Sequence, residues 1–193
     1  MNEAVFIFIS ISVIISFYAI YAGKAIIQKG KGIQTNQIAK GNKSGSIFII
    51  ELTMKLATYS IVVVELISIY LNTTAFPLSI RIAGAISGVA AVVIFGIAVY
   101  TMRDNWRAGI SEKDKTELVV TGIFRISRNP AFLAFDMVYL GILLMFFNWI
   151  LLFFTLWAMI MLHLQIKQEE KFLHATFGEV YSKYKKQTGR YIG

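Results

Sequence analysis

The chain has 193 residues, 56% of them hydrophobic and 16% charged, with no cysteine and a formal charge of +8. A soluble domain carries about a quarter charged residues, so this composition excludes an ordinary soluble protein. The absence of cysteine excludes disulfides, thiolate nucleophiles and cysteine metal sites, and two histidines, His163 and His174, are too few for a multi-histidine centre.

The apolar residues gather in blocks, and about 20 of them in a row suffice to cross a bilayer. The first block, residues 4–22, follows Glu3 and has no basic residue ahead of it, unlike a secretory leader, so a retained span is expected. The second is residues 47–70. Near its start Glu51 and Lys55 stand four apart, the spacing of a helical ion pair, and near its end Glu65 is expected to reach the headgroups. The third is residues 82–102, where Gly84-x-x-x-Gly88 permits close helix contact and reads as internal packing. Residues 131–164 are too many for one span. Asn148-Trp149 near the middle predicts a tight turn, giving spans at 131–147 and 149–164 of roughly 25 Å each. The expected fold is an all-α membrane protein of one domain, with five transmembrane helices of which the last two form a hairpin.

Seventeen of the nineteen basic residues lie in segments 23–46, 103–130 and 165–193, leaving Lys55 and Arg81. The positive-inside rule makes those segments cytoplasmic, so the amino terminus is expected outside and the carboxyl terminus inside. Topology and attraction to anionic lipid account for the +8 charge, and nucleic acid is not an expected partner.

Two polar clusters flank the hairpin. Residues 122–130 read GIFRISRNP, with Asn129 suited to cap a helix and Pro130 to its first position. A helix amino terminus beside Arg125 and Arg128 also suits a carboxylate or phosphate. Glu169-Glu170 lies past the hairpin. These glutamates fit first of all solvated pairing with Lys167 and Lys171, with an ammonium site as the alternative. Helical spacing puts His163, Lys167 and Glu170 on one stripe and Gln165 with Glu169 on the next. Asp136 is six residues past Pro130 and is expected near the same site. In the tail, Phe177, Val180, Tyr181 and Tyr184 share one face of an amphipathic helix.

Over about residues 100–193 the chain resembles the isoprenylcysteine carboxyl methyltransferase and phospholipid methyltransferase group. The likeness is carried in order by Leu118-Val119, Gly122, Phe124, Arg128-Asn129-Pro130-Ala131-Phe132, the hairpin, Glu169-Glu170, Phe177-Gly178, Tyr181, Tyr184 and Arg190. Asn129 stands where the group usually has His, Phe124 and Phe132 where Tyr is common, and Gln165 where the isoprenylcysteine enzymes have Arg.

The resemblance implies S-adenosylmethionine as cofactor, S-adenosylhomocysteine as product, no metal, and a lipid-linked prenyl acceptor reached from the bilayer. It assigns Leu118, Val119, Val120, Thr121, Gly122 and Phe124 to the adenosine wall. Arg128, Asn129, Pro130, Ala131 and Phe132, with His163, would surround the amino-acid part. Glu169 or Glu170 would take its ammonium or orient the acceptor, Arg125 or Arg128 would orient an acceptor carboxylate, and Gln165 and Asp136 would lie on the acceptor side. Carboxyl O-methylation of an isoprenylcysteine leads, and aminolipid N-methylation is the alternative. An NADPH-dependent sterol or enone reductase would call for more basic residues around its phosphates, and a transporter for polar groups at mid-bilayer.

Overall fold

The computed structural model describes residues 2–40, 43, 45–109 and 117–193, so the middle of the 103–130 segment lies outside the described residues. The described chain is helical, with one isolated parallel bridge between Asn36 and Ala108. The helices are α1 (Glu3–Gly30), α2 (Gly45–Tyr70), α3 (Leu78–Met102), α4 (Pro130–Met145) and α5 (Trp149–Gln187). Four of them are long and apolar enough to cross a membrane. The fifth, α4, is a shorter apolar helix of 16 residues, about 24 Å at ~1.5 Å per residue.

The turn between α4 and α5 is held by Asn148. Its side-chain oxygen accepts from the Leu151 amide at 2.8 Å, capping α5, while its amide donates to Ser68 at 2.9 Å and Thr73 at 3.1 Å. Asn129 occupies the N-cap position of α4 without capping it. Its amide instead donates to the Arg190 carbonyl at 3.1 Å, tying the helix entry to the tail.

Helix α3 packs most extensively on α4 because both backbones are bare where they cross. A Cβ on Gly84 would lie 2.6 Å from the Gly141 carbonyl oxygen, and one on Gly141 would lie 3.0 Å from the Gly88 nitrogen. Such small residues permit close approach where lipid offers no hydrophobic drive between helices. An aromatic cluster joins α1, α3 and α4: Phe17 stacks on Phe95 at 4.2 Å, and Phe135 meets both edge-on. At the opposite end of the bundle from the sequence's main basic segments, Arg81 forms a bidentate pair with Glu3 at 2.7 and 2.8 Å over the Phe6 ring.

Two expectations for α2 are corrected. Glu51 does not depend on Lys55: its carboxylate takes Lys43 at 2.5 Å and the Ala39 amide at 2.6 Å, because the α1–α2 connector folds back over the helix start. Glu65 does not reach the surface. It is fully buried, and neither carboxylate oxygen has a hydrogen-bond partner among the described residues.

α5 runs unbroken past its apolar part as far as Phe177, and after a break at Gly178, where φ is +52°, a second helical stretch carries the tail to Gln187. That left-handed conformation favours glycine, and it lets residues 179–187 turn back beneath α4. Tyr184 then donates to the Phe124 carbonyl at 2.6 Å.

Candidate active site

A cavity of about 430 Å³ is lined by α1, α2, the end of α3, α4 and α5, together with Asn36, Ile38, residues 105–109, residues 117–119 and Phe124. That size falls within the range of ligand sites. Its lining is mostly apolar, with a few polar groups among it.

The segment before α4 is shaped by Gly122, whose φ of +59° opens a short 3-10 turn, Gly122–Arg125. The turn places Phe124 on the cavity wall beside Leu118 and Val119. Ser127 accepts from the Asn129 amide at 3.1 Å, fixing the entry to α4, and Asn129, Pro130, Ala131 and Phe132 complete that wall. From α5 come Leu162, Gln165, Glu169 and, beyond the break, Tyr181 and Tyr184.

Arg128 is held from several sides. Its Nη2 donates to Glu170 at 2.8 Å, its Nη1 donates to the Lys185 and Thr188 carbonyls, and its backbone amide donates to Gly189 at 3.0 Å. Arg190 also grips Glu170, through Nε at 3.1 Å and Nη2 at 2.8 Å. Burial works against the Glu170 carboxylate, but the hydrogen bonds from Arg190 and Arg128 outweigh it and hold its pKa down at about 2. The triad fastens the tail to the start of α4. It leaves Glu170 off the cavity lining.

Glu169 faces the cavity, where the Gln165 amide donates to its carboxylate at 3.1 Å. Burial raises the Glu169 pKa to about 7; the Gln165 bond opposes the rise and the nearby Glu51 charge adds to it.

Four further polar atoms on this lining are buried without a well-formed hydrogen bond among the described residues: Trp106 Nε1, Gln165 Oε1, and Arg128 Nε and Tyr181 Oη, whose side chains lie near enough to interact with each other. An unpaired buried polar atom costs about 1–3 kcal/mol, so Trp106 Nε1 and Gln165 Oε1, beside the incompletely met Arg128–Tyr181 pair, point to a polar ligand that satisfies them.

Of the residues singled out in the sequence, the structure brings to this cavity Leu118, Val119, Phe124, Arg128, Asn129, Pro130, Ala131, Phe132, Gln165 and Glu169. Val120, Thr121 and Arg125 lie instead along a separate shallow depression with Lys183 and Gln187. His163 hydrogen-bonds the Tyr191 hydroxyl at 2.9 Å, and Asp136 is buried in α4; neither lines the cavity. Sequence reasoning missed Trp106 and the contribution of α1 and α2, which includes Tyr18, Tyr21, Lys55, Thr58 and Tyr59. Tyrosines and a lysine within otherwise aliphatic spans were the available signal. Among the described residues no three His, Asp or Glu side chains come together as a metal site would need.

A family model described as phospholipid methyltransferase matches residues 79–180, from α3 to just past the break in α5. No curated protein matches the chain. The family match covers 102 of the 193 residues and both polar clusters of the cavity. With its long apolar helices, the chain therefore belongs to the phospholipid methyltransferase family, as an integral membrane methyltransferase acting on lipid.

Proposed function

We propose that the cavity binds S-adenosylmethionine and that the protein methylates the carboxyl group of a lipid-anchored acceptor, an isoprenylcysteine being the acceptor of choice. The single observation that carries this reading is the set of incompletely bonded polar groups on the cavity wall. An amino-acid moiety has a carboxylate for the Trp106 and Arg128 N–H donors and an ammonium for Glu169 and the Gln165 oxygen. The apolar wall of Leu118, Val119 and Phe124 suits a nucleoside. The positive charge of the basic segments supports a cytoplasmic position for this end of the bundle, with residues 103–130 and 165–193 as its catalytic segments and the amino terminus outside.

The donor supplies a methyl group activated on a sulfonium. This chain's residues have to orient it, exclude water and present the acceptor, which is a positioning task. The cavity offers one carboxylate of raised pKa, Glu169, because Glu170 is held by two guanidinium groups. If Glu169 takes the ammonium of the donor, it no longer serves as a base. A carboxylate acceptor needs none, which favours O-methylation.

Aminolipid N-methylation is the second reading. It is favoured by Glu117, an exposed carboxylate on the cavity lining that would receive the amine's proton.

A radiolabelled methyl-transfer assay with prenylcysteine and aminolipid acceptors side by side tests both. Label in the prenylcysteine ester is expected. Label only in the aminolipid would replace the first reading with the second, and label in neither would reject both.

A further inference from the structure

We infer that Lys55 selects the acceptor, its ammonium holding the acceptor's carboxylate at the membrane end of the cavity; the inference rests on the methyltransferase reading above.

Lys55 lies on α2, outside the segment that the family model matches. It lies ten residues beyond Gly45, about 15 Å along the helix at ~1.5 Å per residue. On the same helix Leu52, Leu56 and Tyr59 are exposed and face lipid. An ammonium at that depth is costly unless it is paired or reaches water. Glu51, one turn earlier, is the obvious partner, but its carboxylate is engaged by Lys43 and the Ala39 amide. The Lys55 side chain has no hydrogen-bond or ion-pair partner among the described residues, and it lines the cavity. A snorkelling lysine would only need to reach the headgroups. This one shares a chamber with Glu169 and the incompletely bonded polar atoms Trp106 Nε1 and Gln165 Oε1.

The surroundings fit an amphipathic acid. Tyr18 and Tyr21 of α1 and Thr58 and Tyr59 of α2 form this end of the cavity. The two helices make little contact with each other, and Tyr59 is 62% exposed, so the chamber meets the bilayer between them. A chain lying along that gap would leave its acidic end beside Lys55.

The charges are ordered for the reaction. Glu169 is suited to the cationic donor and Lys55 to the anionic acceptor. One carboxylate oxygen is held by the ammonium and the other attacks the methyl carbon. The new O–C bond uses the carboxylate's electron pair, the C–S bond breaks toward sulfur, the sulfonium becomes a neutral thioether, and no proton moves.

The test compares wild type, Lys55→Gln and Lys55→Arg in detergent micelles. Binding of N-acetyl-S-farnesylcysteine and of its carboxamide is followed by tryptophan fluorescence, with an S-adenosylhomocysteine titration run in parallel. Wild type is expected to bind the acid about tenfold more tightly than the amide. Lys55→Gln should bind the two alike, Lys55→Arg should keep most of the preference, and all three should bind S-adenosylhomocysteine equally, which shows that the variants are folded. Retained preference in Lys55→Gln, or none in wild type, overturns the inference. A third arm uses lysophosphatidylethanolamine; a preference for it over the acid, lost in Lys55→Gln, overturns the carboxylate assignment in favour of a phosphate. If wild type binds no S-adenosylhomocysteine, the methyltransferase reading fails, and that result is distinct from a failure at Lys55.

Discussion

Glu169 and Glu170 are neighbours on α5, yet one opens onto a cavity and the other is clasped by Arg128 and Arg190. Adjacent residues on a helix point about 100° apart, and here that rotation separates ligand chemistry from tail anchoring. The two conservative variants should therefore fail differently. Glu170→Gln leaves a buried guanidinium, Arg128, without its counter-charge and is expected to cost about 3 kcal/mol of stability. Glu169→Gln should leave stability unchanged or higher while weakening S-adenosylhomocysteine binding about tenfold. Thermal unfolding and isothermal titration in detergent separate these outcomes. Equal loss of stability in both variants would show that the neighbours share one role.

The Glu169 pKa of about 7 gives a pH signature. The carboxylate is the form that attracts an ammonium, so affinity for an ammonium-bearing ligand should rise as pH climbs from about 6 to 8, with proton release on binding below the pKa. The stability sign is opposite. Between the ordinary carboxylate value of 4.5 and about 7, the unfolded chain ionises this group while the folded chain keeps it protonated, so stability falls across that window. Titrations at several pH values in wild type and Glu169→Gln check it. A slope that persists in the variant would assign the proton to another group.

The span pattern was legible because lipid-facing and buried residues are both apolar, and block length alone then counts helices. The Asn148 turn was legible for a similar reason, since a polar, cap-forming residue interrupts an aliphatic run. The α4 and α5 part of the cavity could be read from two polar clusters close in sequence to the hairpin. The α1 and α2 part could not. Tyr18, Tyr59 and Lys55 reach the cavity only through the packing of distant helices, and no local periodicity shows which face of an all-apolar helix turns inward. Helical spacing pairs Lys55 with Glu51. That rule failed because the α1–α2 connector delivers Lys43 and the Ala39 amide to the same carboxylate.

The crossing of α3 and α4 positions the helix whose first turn forms one cavity wall. A methyl at Gly84 would lie 2.6 Å from the Gly141 carbonyl oxygen and 2.9 Å from the Leu144 Cβ, so Gly84→Ala must push the helices apart. A cost of about 1–3 kcal/mol is expected from overpacking. Gly96→Ala on the same helix would meet its nearest neighbour, the Ile20 side chain, at an ordinary 3.7 Å and should be nearly neutral. Unfolding of the two variants in detergent makes the comparison. Equal effects would mean that helix propensity, rather than the crossing, sets the cost.

The proposed orientation can be read directly, because the chain has no cysteine to confuse labelling. Asn2 lies just before α1, and Lys183 is exposed on the turned-back end of α5. In sealed spheroplasts, Asn2→Cys should react with a membrane-impermeant maleimide, whereas Lys183→Cys should react only after the membrane is opened. Leu71→Cys, in the turn after α2, lies at the same end of the bundle as the Arg81–Glu3 pair and should behave like Asn2→Cys. The positive-inside rule rests on the basic segments alone, so this pattern would fix the cavity on the cytoplasmic side, where an adenosyl donor is made. Labelling of Lys183→Cys from outside would place the cavity's polar end away from that supply and would remove the basis for the proposed donor.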